Sequence, residues 1–141
     1  MKQRMPQTLA TVLFTLAVCL TGDAFNNPVL ACECYKRNDF EQEFSFSKAI
    51  LVGEVVEIDQ SKPDAIVTFK VEKMWKGAKS ETIVVRTNNQ GKTCGFIFTR
   101  GEKYLVYAYE EGALRTSICT RTREVKSAAE DLKELTQKKE L

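Results

Sequence analysis

Apolar residues fall in bursts along this chain, and their spacing changes from one burst to the next. The first burst, Thr8 to Leu20, is a mostly apolar run with Lys2 and Arg4 before it and the polar stretch Thr21 to Asn27 behind it. A basic start, a short apolar run and the small-residue site Val29-Leu30-Ala31 are the three parts of a secretory leader. The run falls short of the ~20 apolar residues that a membrane-spanning helix needs. A cut after Ala31 is therefore expected, making 1–31 a cleaved signal peptide and 32–141 the mature domain. Gly22-Asp23-Ala24 is a competing site. Val29-Leu30-Ala31-Cys32 also has the look of a bacterial lipobox, which would anchor a lipid on Cys32.

Beyond the leader the spacing predicts a short helix, several strands and a last helix. Phe40 and Phe44 stand at i, i+4 with acids early in the segment, so Asn38 to Lys48 reads as a helix. Ala49 to Ile58 is strand-like, with Gly53 as a bulge. After the turn Ser61-Lys62-Pro63-Asp64, Val67, Phe69 and Val71 alternate with Ile66, Thr68, Lys70 and Glu72 in a second strand, which Gly77 ends. Thr82 to Thr87 is the third strand and Tyr104 to Tyr109 the fourth. Glu110-Glu111-Gly112 predicts a hairpin turn into a fifth, Ala113 to Thr120. Ser127 with Glu130 has the form of a capping box for a helix whose stripe is Ala128, Leu132 and Leu135, and the tail from Gln137 is expected to fray. Five strands with a helix at each end predict a mainly β domain, a five-stranded antiparallel OB-fold barrel. The strand-like runs are too few for a seven-strand sandwich.

Cysteine usage changes this picture more than charge does. Of five cysteines, Cys19 departs with the leader, leaving Cys32, Cys34, Cys94 and Cys119. An even set in an exported domain reads as two disulfides rather than a thiolate zinc site. Four cysteines allow three pairings, and the spacing alone does not choose among them. The formal charge of +2 falls by one when Lys2, Arg4 and Asp23 leave, which gives no electrostatic case for nucleic acid. The chain has no histidine, so Ser-His-Asp, Cys-His and His-ligated zinc sites are excluded. The carboxylate pairs Glu54/Glu57 and Glu110/Glu111 fall where solvated surface acids are expected, Cys-x-Cys lacks the helix N-terminus that activates Cys-x-x-Cys, and no enzyme is expected. No cofactor is called for.

The cut after Ala31 would free the α-amino group of Cys32. That amine, the Cys32 carbonyl and a side chain held by a disulfide form a rigid two-atom chelator, suited to capping a metal in another protein's active site.

Several stretches together resemble the N-terminal, netrin-like domain of the tissue inhibitors of metalloproteinases. They are Cys32-x-Cys34, the strand Ala49 to Val56, Lys73-Met74-Trp75-Lys76-Gly77, Cys94-Gly95, Glu102-Lys103-Tyr104-Leu105-Val106 and Thr116-Ser117-Ile118-Cys119. The resemblance implies a netrin-like barrel with Cys32 bonded to Cys94 and Cys34 to Cys119. It implies a secreted, extracellular or periplasmic inhibitor of a zinc metalloprotease, with an inhibitory edge of Cys32, Glu33, Cys34 and Tyr35. In that family the N-terminal amine and carbonyl bind the protease zinc, whose open coordination position a chelator can fill. The residue after the first cysteine enters the protease's specificity pocket. Glu33 stands where the family usually has a small Ser or Thr, and a carboxylate there favours a basic pocket over an apolar one. A netrin-like module that binds another protein without inhibiting it is the alternative.

Overall fold

A computed structural model describes residues 32–34, 39–89, 94–110 and 112–139. The expected leader and cleavage site, and Tyr35, lie outside the described residues. Helix α1 (Phe40–Phe46) is followed by strands β1 (Ala49–Asp59), β2 (Asp64–Lys76), β3 (Thr82–Asn88), β4 (Lys103–Ala108) and β5 (Arg123–Glu124). A 3-10 turn, Val125–Ser127, leads into helix α2 (Ala129–Lys139). The strands form one antiparallel sheet in the order β3-β2-β1-β4-β5. Among the described residues, no helix is long and apolar enough to cross a membrane.

The alternating patterns sort residues onto the two faces of this sheet. One face gathers Leu51, Val55, Val67, Phe69, Val85, Tyr104 and Val106 around Phe98, whose ring meets those of Phe69 and Tyr104 edge-on at 5.2 and 4.9 Å. The other face carries Ile50, Val52, Leu105 and Tyr107 beneath Phe40 of α1 and Leu135 of α2. Strand β1 lies between β2 and β4 with both faces covered, which is why its sequence reads as a nearly continuous apolar run. The register slips at Gly53, as the sequence predicts, and a Cβ there would stand 2.9 Å from the Lys70 carbonyl oxygen.

Helix α1 is short but closed at both ends. Asp39 caps it by accepting from the Gln42 amide at 2.8 Å. Lys76, from the end of β2, donates to the Phe44 and Ser45 carbonyls at 2.7 and 3.0 Å, placing a cation where the helix dipole is negative.

Several expectations need correction. The segment Ala113 to Thr120 is not the fifth strand; β5 is Arg123–Glu124, paired with Leu105 and Tyr104. The turn at Glu110 and Gly112 forms with positive φ, and Tyr109 and Arg115 exchange backbone bonds at 2.9 Å, but the ladder stops there. The reason lies in the threonines. Tyr107 donates its amide to Thr122 Oγ1 at 2.9 Å, and its carbonyl accepts from Thr116 Oγ1 at 2.9 Å, so hydroxyls occupy the edge that a strand would pair with. Among the described residues the sheet is not closed, so the expected barrel is not shown; Arg115 makes isolated bridges to Tyr109 and to Arg86 of β3.

The capping box is also replaced. Ser127 sits in the 3-10 turn, and its hydroxyl donates to the Glu124 carbonyl at 3.1 Å. The tail expected to fray continues α2 to Lys139, and Lys138 pairs with Glu41 at 2.6 Å while lying over the Phe44 ring.

Candidate functional site: a doubly tethered cysteine ridge

Cys32, Glu33 and Cys34 are held by two disulfides that lead to different parts of the fold. Cys32 joins Cys94 with Cα atoms 5.1 Å apart, and Cys34 joins Cys119 with Cα atoms 5.3 Å apart. This is the pairing that the family resemblance implies. The bonds close loops of 62 and 85 residues, each worth about 4–5 kcal/mol by restricting the unfolded chain in the chain-entropy account. The two bridges touch: Cys32 Sγ lies 3.8 Å from Cys119 Sγ. The sulfurs of Cys32, Cys34 and Cys119 fall within 4.8 Å of one another, close enough for a metal site, but as disulfides they offer no thiolate ligand.

Each anchor is itself braced. The Cys94 loop runs against the end of β3, where the Phe96 amide donates to Thr87 Oγ1 at 2.7 Å. Gly95 is the residue that allows this approach. A Cβ there would fall 1.8 Å from the Asn88 carbonyl oxygen, an impossible contact, so the glycine of the Cys-Gly motif is required by packing. The Ile118 amide donates to the Cys94 carbonyl at 2.9 Å and ties the two anchoring loops together.

The Cys119 loop is a tight turn in which Thr120 donates twice to the Ser117 carbonyl, from its amide at 3.2 Å and its hydroxyl at 2.9 Å. Directly behind it, Arg121 forms a two-pronged pair with Asp131 of α2, Nη2 to Oδ1 at 2.6 Å and Nε to Oδ2 at 2.9 Å. Tyr107 donates its hydroxyl to the same Oδ2 at 2.9 Å. Asp131 is fully buried. Burial pushes its pKa up, but the hydrogen bonds from Arg121 and Tyr107, with the Arg121 charge, outweigh that and hold it below the ordinary value. Tyr107 is shifted upward, by burial first and by the Asp131 charge second. The buried Glu43 of α1 reaches the Arg121 amide with Oε1 at 3.4 Å. One polar cluster thus fixes the turn that carries Cys119 to both helices.

Glu33 is exposed between the two tethered cysteines. Beside the ridge, Ile97 is 84% exposed and Ile118 is 44% exposed, one on each anchoring loop. The sequence offered no sign of the Arg121–Asp131–Tyr107 cluster: Asp131 reads as a first-turn helix acid and Tyr107 as a core aromatic. The exposure of Ile97 was equally hidden, because it lies between two phenylalanines that both pack inward.

No protein-family model and no curated protein matches this chain.

Proposed function

We propose that the protein is an exported inhibitor of zinc metalloproteases, built like the netrin-like domain of the tissue inhibitors of metalloproteinases, and not an enzyme. The observation that carries this reading is the double tether of Cys32-Glu33-Cys34. Two disulfides to separate loops hold a three-residue segment rigid, and that rigidity lets a backbone amine and carbonyl act as a preorganised chelator. With the leader cut after Ala31, the Cys32 amine is terminal. Its ordinary pKa of roughly 7.7–8 makes the unprotonated, metal-binding form accessible near neutral pH. In this reading Cys32 supplies the amine and carbonyl to the protease zinc, Glu33 enters the neighbouring pocket, and Cys34 and Tyr35 complete the edge. Ile97 and Ile118 add apolar contact area on either side. An OB-fold barrel is part of the proposal, supported by the Arg115 bridges that link β3 to the end of β4.

The test is a panel of zinc proteases assayed with the protein beginning at Cys32, with one Ala added before Cys32, and with Glu33→Thr. The Ala extension removes the nitrogen ligand without touching the core and is expected to abolish inhibition. Glu33→Thr is expected to strengthen binding to proteases with apolar pockets, by removing a carboxylate that binding must desolvate. Inhibition that survives the extension rules out chelation. No inhibition by any form favours the second reading, a netrin-like module that uses the exposed Ile97 and Ile118 to bind a partner without inhibiting it.

A further inference from the structure

We propose that a groove between α1, the end of β2 and α2 binds a small organic anion with an apolar body, with Lys79 and Lys138 holding its charge. The groove is a cavity of about 230 Å³ lined by Phe44, Met74, Trp75, Lys79, Leu135 and Lys138. That volume lies below the ~300–1,000 Å³ of pockets for drug-sized ligands, so the occupant is small. Four of the six lining residues are apolar or aromatic and two are ammonium groups, a division that matches an amphipathic anion. This site does not involve the cysteine ridge and stands independently of protease inhibition.

The charge around the groove is one-sided. Lys138 Nζ lies 4.8 Å and Lys76 Nζ 5.3 Å from the Phe44 ring centre, and Lys73 Nζ lies 4.7 Å from the centre of Trp75. Against these cations, Glu41 is the carboxylate that pairs at the rim, with Lys138. Lys79 makes no ion pair among the described residues. Burial first, and then the charge of Lys48, hold the neighbouring Lys76 below the ordinary lysine range. Trp75 lends its ring to the groove wall, while its indole N–H is shielded from solvent, without an acceptor among the described residues, and so is not offered to an occupant.

Trp75 is the single tryptophan of the chain, so its fluorescence reports on this groove alone. The probes are octanoate and 1-octanol, which share an apolar body and differ in charge. The expected result is a saturable change in Trp75 emission with octanoate, and binding at least about fivefold weaker with octanol. Lys79→Gln and Lys138→Gln are each expected to weaken octanoate about two- to fivefold, and Lys79→Gln to do so with an unchanged thermal midpoint. Lys103→Gln, whose lysine pairs with Glu72 and does not line the groove, is the control and is expected to leave octanoate binding unaltered. The proposal is overturned by the absence of a saturable response, by equal affinity for octanoate and octanol, or by octanoate affinity that neither groove lysine changes.

Discussion

Replacing Asp131 with Ala tests how the Cys119 turn is held. Asp131 is completely buried and accepts three hydrogen bonds, two from Arg121 and one from Tyr107. Its removal takes the bidentate acceptor from a guanidinium with only 14% of its side chain exposed, and the Asp131 acceptor from the buried Tyr107 phenol. Breaking one side of a buried ion pair costs about 3–5 kcal/mol, a large share of the ~5–15 kcal/mol that holds a domain folded. Urea denaturation at pH 7 with the disulfides intact measures the loss. The double variant Arg121→Met with Asp131→Leu separates pairing from packing: it removes both charges and is expected to recover at least half of the loss. The pH dependence has a fixed sign. Because Asp131 titrates lower in the folded state, its contribution is complete above the unfolded carboxylate value of about 3.9 and is lost as pH falls through the folded value. Wild-type stability should therefore drop on acidification more steeply than that of Asp131→Ala. A loss below about 1 kcal/mol in the single variant, or a double variant as unstable as the single one, would refute the view that this pair braces the turn.

Peptide mapping under non-reducing conditions should find Cys32 linked to Cys94 and Cys34 to Cys119; a Cys32–Cys34 or Cys34–Cys94 linkage contradicts the ridge. Gly95→Ala should destabilise the domain by about 1–3 kcal/mol, because its Cβ would fall 1.8 Å from the Asn88 carbonyl oxygen and force the Cys94 loop away from β3. A change within about 0.5 kcal/mol would show that the loop does not pack so closely. Phe69→Ala should cost about 3–5 kcal/mol, since Phe69 is fully buried at the centre of the sheet. Phe44→Ala should cost clearly less, because that ring is only partly buried at the edge of the groove; equal losses at the two sites contradict this placement.

The alternation of Val67 and Phe69 with polar neighbours determined which face of β2 turns inward. The nearly continuous apolar run of β1 marked a strand, and the Ala128, Leu132, Leu135 stripe marked a helix with one apolar face. These features were legible because each depends on a local period of two or 3.6 residues that any burial must respect. The tethered cysteines were also in view as a set, though their partners were implied by a resemblance rather than by spacing. The tertiary structure decided what depends on groups distant in sequence. Whether Ala113 to Thr120 forms a strand turned on hydroxyls from Thr116 and Thr122 reaching the backbone of Tyr107, a competition that local propensity does not register. The need for glycine at position 95 arises from the Asn88 backbone beside it. Asp131 became a buried anchor only because the fold brings Arg121 and Tyr107 to the same carboxylate. A buried charge is tolerable when its partners arrive with it, and those partners come from a strand and a loop that the helix meets only in the folded chain.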